Sequence, residues 1–333
     1  MLRVHSFFPI FWKLLFGFSS TLPILAIEIA QYLTLKSVMK GSHMLRRRAQ
    51  ITLTALVFSL GLSETLQSKD PKLTPEELVN RHVQSIGSTE VIQKVQSRAI
   101  NGTMVATTKL GRAGTMAGRA SILSKGPKTR VSLIMDVPDY PSEQFTFDGN
   151  RTAGGSLRPE LHAPLSEFVH LNGVLMREGL IGGVLTTAWP LLDLPNRKPL
   201  LSYGGLKKVD GKEYHTLKYK PNKGAMAANV TLFFDPETFR HVRSQYGVEN
   251  SGGTGSITPG GAGGGQAPGL ARVQLIEEFG DFKEKDGLQL PHSYTIRFSG
   301  DTGSGTLLAT WTVTVTALDH NNPTIEDKHF AIR

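Results

Sequence analysis

The spacing of hydrophobic and polar positions changes near Ala99. Before it, Leu78, His82, Val83 and Ile86 recur at helical spacing behind Thr74-Pro75-Glu76-Glu77. Thr at the N-cap, Pro at the first helical position and Glu at the third make a capping box, and Gly87 supplies a stop. A second short helix is expected over 89–95. His82 reads as a packed surface histidine rather than a ligand.

After Ala99 the period falls to two. Strands are expected over 100–107, 115–123, 131–137 and 144–147, the last closed by Asp148-Gly149, a dipeptide suited to the left-handed conformations of tight turns. Between 159 and 192 the pattern is helical again. Leu161, Leu165, Phe168, Val169 and Leu171 fit one helix. Val174, Leu175, Leu180, Ile181, Val184, Leu185, Trp189 and Leu192 fit a second and more apolar one, over 174–192. An apolar helix inserted in a meander covers a sheet face or closes a cavity, so it reads as a lid or a core plug. Gly173, Gly179, Gly182 and Gly183 loosen it, each costing about 1 kcal/mol relative to Ala.

Three hairpins follow: 206–209 with 213–219 around Asp210-Gly211, 229–234 with 239–248 around Asp235-Pro236-Glu237-Thr238, and 271–282 with 288–298 around Asp286-Gly287. In the last strand Leu307, Ala309, Trp311, Val313 and Val315 share one face, and Thr310, Thr312, Thr314 and Thr316 the other. Such alternation marks a strand with one buried and one wet face. The expected fold is therefore mainly β with helices: an incomplete antiparallel barrel, or curved meander sheet, with an N-terminal helix and an inserted apolar helical segment.

Composition narrows the function classes. The 333 residues include 37 basic and 28 acidic ones, a formal charge of +9. Seven of the basic residues and one acid (Glu28) lie before residue 64, which leaves 30 basic against 27 acidic in the body. No basic stripe suited to phosphate binding remains, so nucleic acid is not an expected partner. Cysteine is absent, which excludes disulfides, thiolate metal sites and a Cys nucleophile.

The basic run Arg46-Arg47-Arg48, the apolar stretch 51–62 and the small residues Gly61 and Ser63 give a signal peptide over 44–63, implying a periplasmic location. Left uncleaved, the same segment would anchor the protein to a membrane. Residues 1–43 hold a further apolar run, 7–27, which reads either as a transmembrane segment or as an extension upstream of a true start at Met44. The tetrad Gly41-Ser42-His43-Met44 also resembles a vector scar. Residues 64–333 then form one domain with a flexible glycine-rich loop at 251–269.

Catalytic patterns are missing. The glycine-rich run lacks the Gly-Lys-Ser/Thr ending of a phosphate loop, no Gly-x-Ser-x-Gly elbow occurs, and no His-Glu-x-x-His is present. His162 and His170 form a wide pair without acids at ligand spacing. Asp148, Asp210, Asp235 and Asp286 each sit in a turn where a local backbone role accounts for them. No enzyme, cofactor or metal is expected.

The capped N-terminal helix, the strand containing Gly102, the segment Phe233-Phe234-Asp235-Pro236-Glu237-Thr238 and the segment running from Asp281-Phe282 through Asp286-Gly287 to Pro291-His292 carry a resemblance. Together they resemble the outer-membrane lipoprotein-carrier (LolA-like) superfamily of periplasmic proteins, over most of 73–332. These are turn motifs. The resemblance implies an incomplete barrel around an apolar cavity that holds acyl chains, with helices as a lid. The glycine-rich loop and the apolar insertion depart from it, and no functional residue is carried over.

On this reading the hydrophobic ligand, a lipid or acyl chain, contacts Val131, Leu133, Phe145, Phe147, Leu180, Leu185, Trp189, Trp311 and Val313. The expected function is a periplasmic carrier or sensor of such a ligand. The alternative is a cell-envelope module with a filled core that binds a protein partner. Membrane contact would run through the N-terminal segment.

Overall fold

The computed structural model describes residues 73–109, 114–138, 140–158, 161, 163–222, 228–249, 272–302 and 305–332. The signal peptide, residues 1–43, His162 and the loop at 251–269 lie outside the described residues.

Helix α1 (Pro75–Ile86) starts as its sequence dictates: Glu77 N donates to Thr74 Oγ1 at 3.1 Å, and Thr74 N to Glu77 Oε2 at 2.9 Å. It buries Leu78, Val79, His82 and Ile86. His82 is therefore a core residue, not a surface one. Helix α2 (Thr89–Lys94) follows, capped by Ser88.

Twelve strands form a single sheet: β1 (Ser97–Thr108), β2 (Gly114–Lys125), β3 (Lys128–Met135), β4 (Glu143–Phe147), β5 (Thr152–Ser156), β6 (Leu200–Val209), β7 (Lys212–Lys220), β8 (Asn229–Phe234), β9 (His241–Glu249), β10 (Arg272–Lys285), β11 (Leu288–Thr302) and β12 (Gly305–His320). Their order is β5-β4-β3-β2-β1-β12-β11-β10-β9-β8-β7-β6. Every neighbouring pair is antiparallel. The first and last strands meet in mid-sheet, and β5 and β6 remain as two edges that do not pair with each other.

The inner face is continuous. Phe145 on β4 and Leu217 on β7, each next to an edge strand, share one hydrophobic cluster with the insertion between β5 and β6. The sheet thus curves around that insertion without sealing, as the incomplete-barrel expectation requires. Fully burying side chains such as these stabilises by about 1.5–3 kcal/mol each, so the curved face supplies much of the drive for folding.

Turn chemistry sets the register. Asp210-Gly211 (φ 50° and 84°) and Asp286-Gly287 (φ 52° and 80°) both take left-handed conformations, the geometry that matches the twist of a two-residue hairpin. Asp235 Oδ1 accepts from Glu237 N at 3.2 Å and from Thr238 N at 2.8 Å. Asp148 Oδ1 binds Asn150 N at 2.8 Å and Arg151 N at 2.7 Å.

Two departures from the pattern have physical causes. Strand β5, Thr-Ala-Gly-Gly-Ser, has no apolar alternation to announce it. It exists because helix α3 (Pro164–Leu171) lies on it, so closely that a Cβ at Gly154 would stand 2.3 Å from Ser166 O. Segment 174–192 is also not one helix. It consists of the single turn α4 (Val174–Arg177), the 3-10 turns Gly183–Leu185 and Pro190–Leu192, and the chain between them; the single turn α5 (Leu194–Arg197) leads on into β6. Gly179 (φ 71°) and Gly182 (φ 82°) are left-handed, which no continuing α-helix allows. The apolar run has helical spacing, but its glycines fold it into a compact knot. Among the described residues no helix is long and apolar enough to cross a membrane.

Candidate functional site

The nine residues expected to contact a ligand do come together. Val131 faces Phe145 across β3 and β4, and Trp311 and Val313 face Ile296 and Tyr294 across β12 and β11. Leu180, Leu185 and Trp189 descend from the insertion into the same cluster. All nine are buried, the most exposed being Phe147 at 6%. The concave face is occupied by the protein's own side chains, with 174–192 as the filling.

Polar anchors hold that filling in place. Glu277, on β10 with Leu275 and Phe279 on the inward face, accepts from Gly182 N at 2.8 Å and Tyr246 Oη at 2.7 Å, and also from Tyr294 Oη. Tyr246 Oη also reaches Leu180 O at 2.9 Å. Burial pushes Glu277 up to about 6, opposed by these donors, and holds both tyrosines well above the usual phenol range. Trp189 Nε1 donates to His82 Nε2 at 2.9 Å. That fixes the His82 tautomer, because Nδ1 must then carry the proton shared with Phe239 O at 3.1 Å. Burial lowers His82 to about 4.

His241 lies stacked on Trp189 with ring centroids 4.6 Å apart, and its Nε2 is 3.0 Å from Ser244 Oγ. A serine-histidine contact invites a catalytic reading. Both residues are 0% exposed, however, and burial drives His241 well below the ordinary imidazole range, so the pair has no access to a substrate. Among the described residues no cluster of His, Asp and Glu could hold a metal ion.

Beside the filling, a cleft of about 500 Å³ opens between α1, α2 and the turns of the insertion. Ile86, Ile92, Val95, Val184, Leu192 and Leu288 give it apolar walls. Of the nine expected residues, Trp189 alone borders it. Arg98, Arg197 and Asp193 contribute the charged groups. The volume lies within the range of about 300–1,000 Å³ usual for small-ligand sites.

Sequence reasoning passed over Arg98 and Glu277, and read His82 as a packed surface histidine. Glu277 had a signal, since the period of two places it between Leu275 and Phe279 on the apolar side. Arg98, immediately before Ala99-Ile100, had only its adjacency to an apolar pair.

No protein-family model matches the chain, and no curated protein matches it. Among solved structures the chain is similar to a LolA superfamily protein of Nitrosomonas europaea, at 13% identity and TM-score 0.43, covering 78% of this chain and 98% of the other. The likeness is one of fold. A DUF1329 family protein of Desulfovibrio piger is similar at 12% identity and TM-score 0.43, covering 77% and 97%. The Mycobacterium tuberculosis lipoprotein LppX is similar at 11% identity and TM-score 0.23, covering 75% and 99%.

Proposed function

We propose that the protein binds a hydrophobic ligand, a lipid or acyl chain, on the concave face of its open sheet, after export to the periplasm. One observation carries the reading: the apolar inner face is covered by a knot of short turns rather than by a second sheet or a long helix. Such a cover has little regular structure of its own to lose when it moves, and a guest that displaces it must replace the buried apolar contacts of Leu175, Leu180, Leu185 and Trp189. Segment 174–192 then acts as a plug that yields to the guest, and Val131, Leu133, Phe145, Phe147, Trp311 and Val313 become the wall that receives it. Each buried methylene contributes about 0.8 kcal/mol, so binding requires no catalytic group.

Native mass spectrometry and lipid extraction of the purified protein test this reading. Co-purifying lipid, or a fluorescence change on adding fatty acids, is the expected result. The absence of both bound lipid and any such response would overturn it.

A second reading, an envelope module that binds a protein partner, is favoured by the closed packing together with the free edges. Strand β6 exposes Leu200 at 62% and Leu206 at 53%. An unpaired strand edge with apolar side chains is a surface onto which another strand can add. A photo-crosslinker at position 206 that captures one envelope protein, with a blank lipid extract, selects this reading over the first.

A further inference from the structure

The cleft beside the plug contains a cation, Arg98, that has no counter-ion among the described residues. Arg98 is 5% exposed, and Nη1 donates to Val184 O at 2.6 Å. Its Nε has no partner among the described residues. No ion pair of Arg98 is found among them either. His320, opposite it on β12, holds the carboxylate of Asp286 at 3.0 Å. Burial lowers Arg98 to about 10, which leaves it charged at neutral pH. A buried guanidinium facing a cleft without a carboxylate bonded to it is costly unless an anion completes it.

The second guanidinium at the cleft is differently used. Arg197 is spent on the carbonyls of Glu178 at 2.9 Å, Ala188 at 3.1 Å and Arg177 at 3.3 Å, with its Nε also unpartnered. Asp193, the acid on the rim, accepts from Asn196 Nδ2 at 2.6 Å. The cleft therefore combines one available buried cation with a wall of Ile86, Ile92, Val95, Val184, Leu192 and Leu288.

We propose that this cleft is a binding site for a single-chain amphiphile with an anionic head, carboxylate or phosphate, in which Arg98 takes the head and the apolar wall takes the first part of the tail. The inference rests on the hydrophobic-ligand reading and adds the head-group class to it. Arg98 supplies selectivity and the wall supplies chain-length dependence, about fourfold in affinity per buried methylene.

Titration calorimetry with dodecanoate, dodecyl phosphate, dodecanol, dodecyltrimethylammonium and inorganic phosphate, each amphiphile below its micelle concentration, tests it. The two anionic chains are expected to bind at least about tenfold more tightly than dodecanol, and the cationic chain most weakly, since hydrogen bonds to charged groups carry that much discrimination. Arg98→Gln should remove the preference, so that the anionic chains bind no more tightly than dodecanol to the same variant, a result that a purely structural role for Arg98, which would weaken all chains alike, would not give. Equal affinity for dodecanoate and dodecanol would overturn the head-group inference and leave the hydrophobic-ligand reading standing. No binding of any chain would overturn both. Inorganic phosphate binding as tightly as dodecyl phosphate would overturn the amphiphile. Should Arg98→Gln fail to fold, Val95→Glu on the half-buried wall should weaken the anionic chains and strengthen the cationic one; unchanged binding of dodecanoate would show that the cleft is not the site.

Discussion

Trp189 donates its indole N–H to His82 Nε2 at 2.9 Å, joining the plug to the first helix across 107 positions of sequence. Both side chains are buried, and each would be left with an unsatisfied polar atom without the other. Trp189→Phe keeps the ring but removes the donor, leaving His82 Nε2 without a partner. A loss of about 1–3 kcal/mol is expected in urea unfolding, with the slope unchanged.

The burial of His82 sets a pH dependence. Burial holds His82 near 4 against its ordinary 6.5, and His241 is lowered in the same direction. Between those limits the unfolded chain binds more protons than the folded one, so stability falls as pH drops from about 6.5 toward 4. His82→Gln should flatten that acid limb in unfolding curves taken at pH 7, 6, 5 and 4. An unaltered limb would show that His82 does not titrate in this way.

Glu277 contributes with the opposite sign. Its folded value is raised to about 6, so the folded protein binds the extra proton between 4.5 and 6, and stability declines as pH rises through that window. Glu277→Gln should therefore be more favourable relative to the parent protein at pH 8 than at pH 5. Equal differences at the two pH values would argue against a buried ionisable carboxylate there.

Gly179 is the point at which the plug turns back. At φ 71° a side chain is strained, and a Cβ would stand 2.0 Å from Ala188 O. Gly179→Ala should unseat the plug while the twelve strands persist. Faster hydrogen exchange and proteolysis confined to 174–192, with more binding of a hydrophobic dye, is the expected outcome. Uniform unfolding would instead mean that the sheet cannot stand without its filling, contrary to a plug that yields to a guest.

The capping box gives a local reference for these effects. Thr74→Ala removes the acceptor for Glu77 N at the exposed start of α1, and should cost about 1 kcal/mol without altering ligand binding. Thermal unfolding and calorimetry read the two quantities separately.

Local chemistry made much of this fold legible. The Thr74 cap, the Asp-Gly turns and the alternation from Leu307 to Val315 act between residues a few positions apart, where spacing and side-chain type suffice to specify the conformation. Six of the nine expected ligand contacts, Val131, Leu133, Phe145, Phe147, Trp311 and Val313, could likewise be placed on the inward face, since a period of two separates the faces of a strand; Leu180, Leu185 and Trp189 were read on a helix that does not form. What the sequence determined by itself was thus which apolar residues of the strands are inside. Tertiary structure decided what lies against them: that the insertion folds into a glycine-turned knot and fills the concavity, that Glu277 and His82 anchor it, and that Arg98 borders a cleft with no ion pair among the described residues. Those outcomes depend on contacts between residues tens to hundreds of positions apart, whose geometry exists only once the sheet has curved.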